Sequence, residues 1–462
     1  MKAAAEPSGN HLAVELTETL KLAVPIALTQ LGQIAMMTTD LALIGRLGDA
    51  AVAAAALAHT VFFVTFTFGM GLVSAVAPLA AQAFGARNPR LVRRALRVGL
   101  WAALLISLPM MMLPLYGEQI LLALGQVPAT AHLAQQYLRG LAWGIAPALW
   151  FLAIRGFMGA VNRPEPGLWI TLAAIPANAV LVYLLIRGEL GLPRLELFGA
   201  GLATTTVNFG MFLAGLWFAH RRRPFRKYQL LGNLWRIDWM LMRQLIVIGA
   251  PISLSFLMEY GLFAAAALLM GLIGTTALAA HQIALQVTAI LFMVPFGIGM
   301  AATVRVGHAV GRNDAAAVKR AGLVATLLGI AFVSVMTLTV ILARFAIARF
   351  FFGEAVESAV IELTATLLMV GATFFVADGI QTVAAGALRG MNDTRIPLLF
   401  AAISYWVVGF TAAYGLAFWT KFGAVGVWIG LSCGTAIYAI LLILRFRLLA
   451  GRMQGRDLTR RN

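Results

Sequence analysis

Charge is scarce in this sequence. Only 11% of its 462 residues are Asp, Glu, Lys or Arg, against about 25% in a soluble domain. Other absences exclude whole classes. Short segments of alternating hydrophobicity do not recur, so a transmembrane β-barrel does not fit. The single cysteine, Cys433, allows no intrachain disulfide; set in an apolar run, it reads as a small packing residue. The six histidines show no metal-ligand spacing on one helix, so no zinc site is expected. No Walker A loop and no HExxH motif occurs, which argues against direct ATP drive and against a zinc protease. The first 19 residues are polar and carry acids, unlike the short basic start of a cleavable signal peptide.

Apolar residues fill the space that charge leaves. The chain is 61% hydrophobic, with a mean hydropathy of +0.88, and apolar runs long enough to cross a ~30 Å hydrocarbon core recur throughout. Polar breaks delimit twelve spans, near 20–45, 51–84, 98–116, 132–160, 167–186, 197–219, 244–272, 277–304, 321–343, 359–388, 397–419 and 424–444. The expected fold is therefore an all-α polytopic membrane protein with twelve transmembrane helices. Pro25, Pro147, Pro176, Pro251 and Pro295 fall inside spans, where a missing N–H permits bending.

The net charge of +17 has to be read by position. Of the 35 Lys and Arg residues, 28 fall on the side of the N-terminus and 7 opposite. Positive residues stay inside, so both termini are expected in the cytoplasm, with the chain in the inner (plasma) membrane. The basic surplus is then a topology and anionic-lipid signal, not a nucleic-acid one. Residues 220–243, HRRRPFRKYQLLGNLWRIDWMLMR, form the longest inner loop and suit a partly amphipathic helix at the interface.

That loop joins two related halves. At an offset of 226, AVPI (23–26) falls on GAPI (249–252), LIGRLG (43–48) on LMGLIG (269–274), Gly71 on Gly297 and Gly85 on Gly311. At 230, GFMGAVN (156–162) falls on GALRGMN (386–392). The expected domains are a tail over 1–19, an N-lobe over 20–219, the loop 220–243, a C-lobe over 244–449 and a tail over 450–462. Six spans per half give both halves the same orientation. Parallel repeats of this kind are a transporter architecture, in which one half rocks against the other. Paired glycines at 69/71 and 297/299 suit close helix approach.

Three acids stand alone in apolar runs: Asp40, Glu259 and Asp378. A carboxylate there is costly and usually faces a cavity, a cation path or a proton relay; the duller alternative is a partner Arg or a helix dipole, and for Asp40 that Arg would be Arg46. At helical spacing Phe374, Gln381 and Ala385 share the face of Asp378, Ser255 and Phe263 flank Glu259, and Gln33 shares the face of Asp40. Two carboxylates with neutral oxygens suit Na⁺; the same pair can share a proton. Both remain open. The acids break the repeat, because Gln33, Ala266 and Ala148 stand where Glu259, Asp40 and Asp378 have counterparts. At the corner 386–393, Arg389 and Asp393 are expected to pair. The only intramembrane charges are read as acidic.

The motifs AVPIALTQLGQIAMMTTDLALIGRLG, PLAAQAFGARN, GAPISLSFLMEYGLF, ALAAHQIALQ and ADGIQTVAAGALRGMNDTRIP resemble those of the multidrug and toxic compound extrusion (MATE) family, in its NorM-like branch. The resemblance covers nearly the whole chain. It implies a V-shaped pair of pseudo-symmetric six-helix lobes and a secondary antiporter that exports organic, often cationic and amphipathic compounds for Na⁺ or H⁺, with no cofactor. It implies a C-lobe cation site at Glu259 and Asp378, holding Na⁺ if the protein is sodium-coupled, with Gln282 a further lining residue, and an N-lobe acid, Asp40, with Asn178 and Thr204. The sequence departs from the pattern at Phe374, where a Tyr is frequent, and at Ala174, where an Asn is common. Phe62, Phe66, Phe292, Phe296 and Phe374 are candidates for an aromatic wall that accepts a cation; His281 reads as a packing residue. Expected partners are organic cation drugs and dyes and membrane lipid, and the chain is expected to be a monomer. The rivals are a lipid-linked glycan flippase of the same superfamily, disfavoured by the acidic charges, and an ion channel or receptor, which would not require twin lobes.

Overall fold

The computed structural model describes residues 8–353 and 358–461, and all regular elements among them are helical. Twelve carry the architecture: α1 Ser8–Ile44, α2 Asp49–Gly85, α3 Pro89–Leu115, α4 in two pieces (Pro128–Ala142 and Ile145–Ala160), α5 Glu165–Arg187, α6 Glu196–Arg221, α7 Trp239–Ile273, α8 Thr275–Gly311, α9 Ala315–Phe352, α10 Ser358–Gly390, α11 Arg395–Phe418 and α12 Ala424–Arg461. Eleven are long and apolar enough to span a membrane, and the bent α4 makes the twelfth. This is a multi-pass membrane protein.

The breaks have local causes. The pieces of α4 meet at 47°. Pro147 offers no N–H to the carbonyl of Trp143, and in a straight helix its ring would collide with that oxygen. The middle of α11, Ala402–Phe410, is wound as a π-helix, a form that gathers at functional sites. It carries Tyr405, which is buried.

The repeat is visible in the turns. Asn88 caps α3 by accepting from Leu91 N at 3.1 Å, and Asp314, 226 residues later, caps α9 by accepting from Ala317 N at 3.0 Å. A side-chain oxygen at this position satisfies one of the helix's orphan N–H groups. Asn162 and Asn392, related by 230, close α4 and α10 with φ of 63° and 59°, the left-handed region that asparagine tolerates.

The helices pack as two compact units. One comprises Leu28–Leu254; the other comprises the chain up to Ala27 together with Ser255 onward. The packing boundary thus runs through α1 and α7, not through the loop 220–243. In the Leu28–Leu254 unit, Ala51, Ala54, Ala55 and Ala58 form a stripe along α2, packed in one core with Tyr137 and Leu138 of α4 and Ala200 and Ala203 of α6. Small residues at helical spacing let the backbones approach. In the other unit Arg305 of α8 reaches Glu15 of α1 at 2.8 Å through Nε and 2.9 Å through Nη2. Gly297 of α8 lies on Ala27 of α1, and Gly299 on the backbone of Thr382.

Three expectations are corrected. Residues 8–19 and 450–461 are helix, continuous with α1 and α12; residues 1–7 and 462 of the expected tails lie outside the described residues. The loop 220–243 contains no amphipathic helix before α7 begins. It has one 3₁₀ turn, Phe225–Tyr228, and is docked onto α3 and α4. Phe225 and Tyr228 are buried against Phe157, Trp101 Nε1 donates to Leu234 O at 2.7 Å, and Arg97 donates to Asn233 O at 3.1 Å. The side chains of Trp101 and Arg97 thus satisfy two of the loop's carbonyl groups. Finally, Cys433 is exposed on α12 and packs no core.

Candidate functional site

Glu259 lies midway along α7 and Asp378 on α10, and Gln381 joins them. Its Nε2 donates to Asp378 Oδ1 at 2.9 Å and to Glu259 Oε1 at 3.4 Å. Asp378 and Gln381 are 5% and 4% exposed, so little water competes for these bonds. Gln381 follows Asp378 by three residues, one turn along the same face. One amide therefore faces two carboxylates between α7 and α10.

A small cavity lies beside the pair. Ser255, Phe256 and Glu259 of α7 form one wall, and Gln381, Thr382, Ala385 and Arg389 of α10 another. Phe292 and Phe296 of α8 (centroids 5.5 Å apart) close a third side, and Tyr405 of α11 and Tyr438 of α12 (5.0 Å apart) the fourth. The Tyr405 hydroxyl is buried in this wall beside Glu259. Asp378 also faces a second small cavity, lined by Phe292, Phe332 and Phe375.

Among the described residues no three His, Cys, Asp or Glu side chains converge. A hard cation held at Glu259 and Asp378 would have to complete its shell with neutral oxygens, and Gln381, Ser255 and Tyr405 are at hand. Phe374 is not at this cavity. It is 1% exposed and packed edge-on to Phe263 at 5.8 Å and Trp428 at 5.5 Å. Gln282 is exposed, while its neighbour His281 is fully buried and accepts from Trp428 Nε1 at 3.1 Å.

In the Leu28–Leu254 unit, Asp40 is 4% exposed. One oxygen accepts from Asn178 Nδ2 and the other from Thr204 Oγ1 at 3.1 Å. Asn178 is fully buried, and its carbonyl oxygen has no partner. Arg46 is exposed and makes no ion pair with Asp40. Gln33 sits about 10 Å further along α1. Ala174 belongs to an apolar cluster with Met36 and Phe151. Phe62 and Phe66 are half-buried and stacked at 5.9 Å.

One reading of charge fails. Asp393 does not pair with Arg389. The helix ends at Gly390, and the turn through Asn392 carries Asp393 to Arg445 of α12, at 2.8 Å. Arg155, within the second piece of α4, and Arg389, at the end of α10, are half-buried, with their guanidinium groups over Phe151 (5.5 Å) and Phe256 (4.9 Å). Sequence reasoning also passed over Tyr405 and Tyr438. The only available signal was their place in apolar runs, which many packing tyrosines share.

The comparisons agree with one another. The MatE family pattern matches residues 25–184 and 251–415. The chain is 71% identical over 96% of both chains to the "Probable multidrug resistance protein NorM" of Bradyrhizobium diazoefficiens, and 61% identical to that of Rhodopseudomonas palustris, over 94% of this chain and 91% of the relative. It is 40% identical to the "Multidrug resistance protein NorM" of Burkholderia vietnamiensis, over 96% of both. Its fold is that of a solved eukaryotic MATE transporter, AtDTX14 (TM-score 0.85, 21% identity, 96% of this chain and 99% of that one). It is equally that of an outward-facing multidrug resistance MATE transporter (0.86, 19%, 97% and 99%). The chain belongs to the MatE family of membrane transporters.

Proposed function

We propose that this protein is a secondary antiporter of the inner membrane, with both termini cytoplasmic, that exports organic and often cationic, amphipathic compounds in exchange for Na⁺ or H⁺. The observation that carries this reading is the pair Glu259 and Asp378, bridged by Gln381 beside an aromatic-walled cavity inside spanning helices. Buried carboxylates of this kind need a counter-charge, and a cation arriving from outside supplies it. The drug and the ion then compete for the same carboxylates or for the same conformation. Exchange requires only that each favour a different state, since a ligand with equal affinity for both shifts nothing.

Asp40, with Asn178 and Thr204, is a separate carboxylate that touches substrate or a proton; Phe292 and Phe296 offer aromatic faces to an organic cation. The resistance proteins to which the chain is similar support multidrug export. The test is Glu259→Gln, which keeps the shape and removes the charge. It should abolish export of a fluorescent organic cation from cells while the protein still reaches the membrane. Export at the normal rate would remove Glu259 from the mechanism.

A further inference from the structure

Arg389 is a cation without an acid of its own. Asp393, four residues on, is held by Arg445 at 2.8 Å, and among the described residues Arg389 makes no salt bridge. Its guanidinium rests 4.9 Å from the centroid of Phe256 and lines the same cavity as Glu259. An arginine cannot shed its charge by deprotonation, and a charge enclosed by protein calls for a counter-charge. The carboxylate it faces across the cavity is Glu259, on α7. Asp378 follows behind the Gln381 amide on the same helix as Arg389, while Tyr405 and Tyr438, the remaining ionisable groups of the cavity, are neutral phenols.

The charge sum has a consequence. Two ionised carboxylates alone would call for two monovalent cations, or two protons, to become neutral. With one guanidinium fixed in the cavity the deficit is a single charge. We propose that Arg389 is a built-in counter-ion for Glu259 and Asp378, so that the site takes up one positive charge per transport cycle, as one Na⁺ or one proton. The Phe256 ring beneath the guanidinium keeps it in the cavity without consuming its charge, as a carboxylate partner would. This rests on the antiport reading above.

The experiment counts ions against drug. Full-length protein in liposomes is loaded with ethidium, and the ions entering per ethidium leaving are measured in two arms, one with radioactive Na⁺ and one with a trapped pH dye. Wild type should exchange about one ion per ethidium in one arm and almost none in the other. Arg389→Met, of similar length and neutral, should raise the ratio to about two, and Arg389→Lys should keep it at about one. A wild-type ratio of two, or the same ratio for the Met and Lys variants, would overturn the proposal; the wild-type count stands even if a variant does not fold. Ethidium loss with neither ion entering would overturn the antiport reading itself.

Discussion

Glu259 and Asp378, on different helices, share one hydrogen-bond donor, the amide of Gln381. That donor stabilises the pair while it is ionised. Replacing it by Leu leaves the ion-free carboxylates less satisfied, at a cost of about 1.5–3 kcal/mol for a bond to a charged group. The ion-loaded state loses less, so the ion is held more tightly and released more slowly. In Gln381→Leu the ion concentration for half-maximal efflux should fall about tenfold, and the maximal rate should fall with it. An unchanged half-saturation would show that the amide does not act on the pair.

Gly297 lies against Ala27, where an added Cβ would stand 2.8 Å from the Ala27 backbone nitrogen and Cβ. The same relation holds 226 residues earlier in the chain, with Gly71 against Ser253. Gly297→Val overpacks this contact and should destabilise the protein by about 1–3 kcal/mol, read as a lower melting temperature in detergent. Ala27→Gly should restore part of the loss, since contacting residues couple. No change in melting temperature would contradict the close approach.

Asp40 accepts from two donors on two helices. Asn178→Ala strips one oxygen of its partner and should cost about 1–3 kcal/mol of stability. Asp40→Asn retains the shape without the charge. It should slow export by about tenfold, equivalent to ~1.4 kcal/mol, while the ions exchanged per drug stay the same. A changed ratio would place Asp40 in the coupling site.

Asp238 caps α7 by accepting from Leu241 N at 3.2 Å and receives Arg94 Nε at 2.8 Å. Arg94 holds its carboxyl below the usual carboxylate range. A depressed carboxyl contributes stability that is fully present above its unfolded pKa, about 3.9, and lost as pH falls through the lower folded value. Asp238→Ala should therefore melt lower than wild type at neutral pH, by about 1 kcal/mol for the lost cap. The gap should close only below the ordinary carboxylate range. A gap that persists in acid would mean that the charge is not its source.

The periodic features were legible in the sequence. Long apolar runs mark twelve spans, and the offsets of 226 and 230 relate the halves; the matched caps Asn88 and Asp314 obey the first, and the turns Asn162 and Asn392 the second. The candidate acids were legible because a lone carboxylate in an apolar run has few explanations. Partnerships were less so. Arg389 and Asp393 are a favourable helical pair on paper, but the helix stops between them and the turn sends Asp393 elsewhere. Gln282 and His281 differ by about 100° around α8, and the histidine turned inward. Tyr405 reaches the cavity from a π-wound segment, which no regular spacing foretells. The tryptophans and basic residues of the loop 220–243 suit an amphipathic helix, but Phe225 and Tyr228 anchor it on Phe157 instead.

The central claim is that an ion gradient drives export through the carboxylate pair. Dye efflux from vesicles containing the purified protein, under Na⁺ and H⁺ gradients imposed separately, tests it most directly. Stimulation by one gradient, lost in Glu259→Gln, is the predicted result; stimulation by neither would contradict the account.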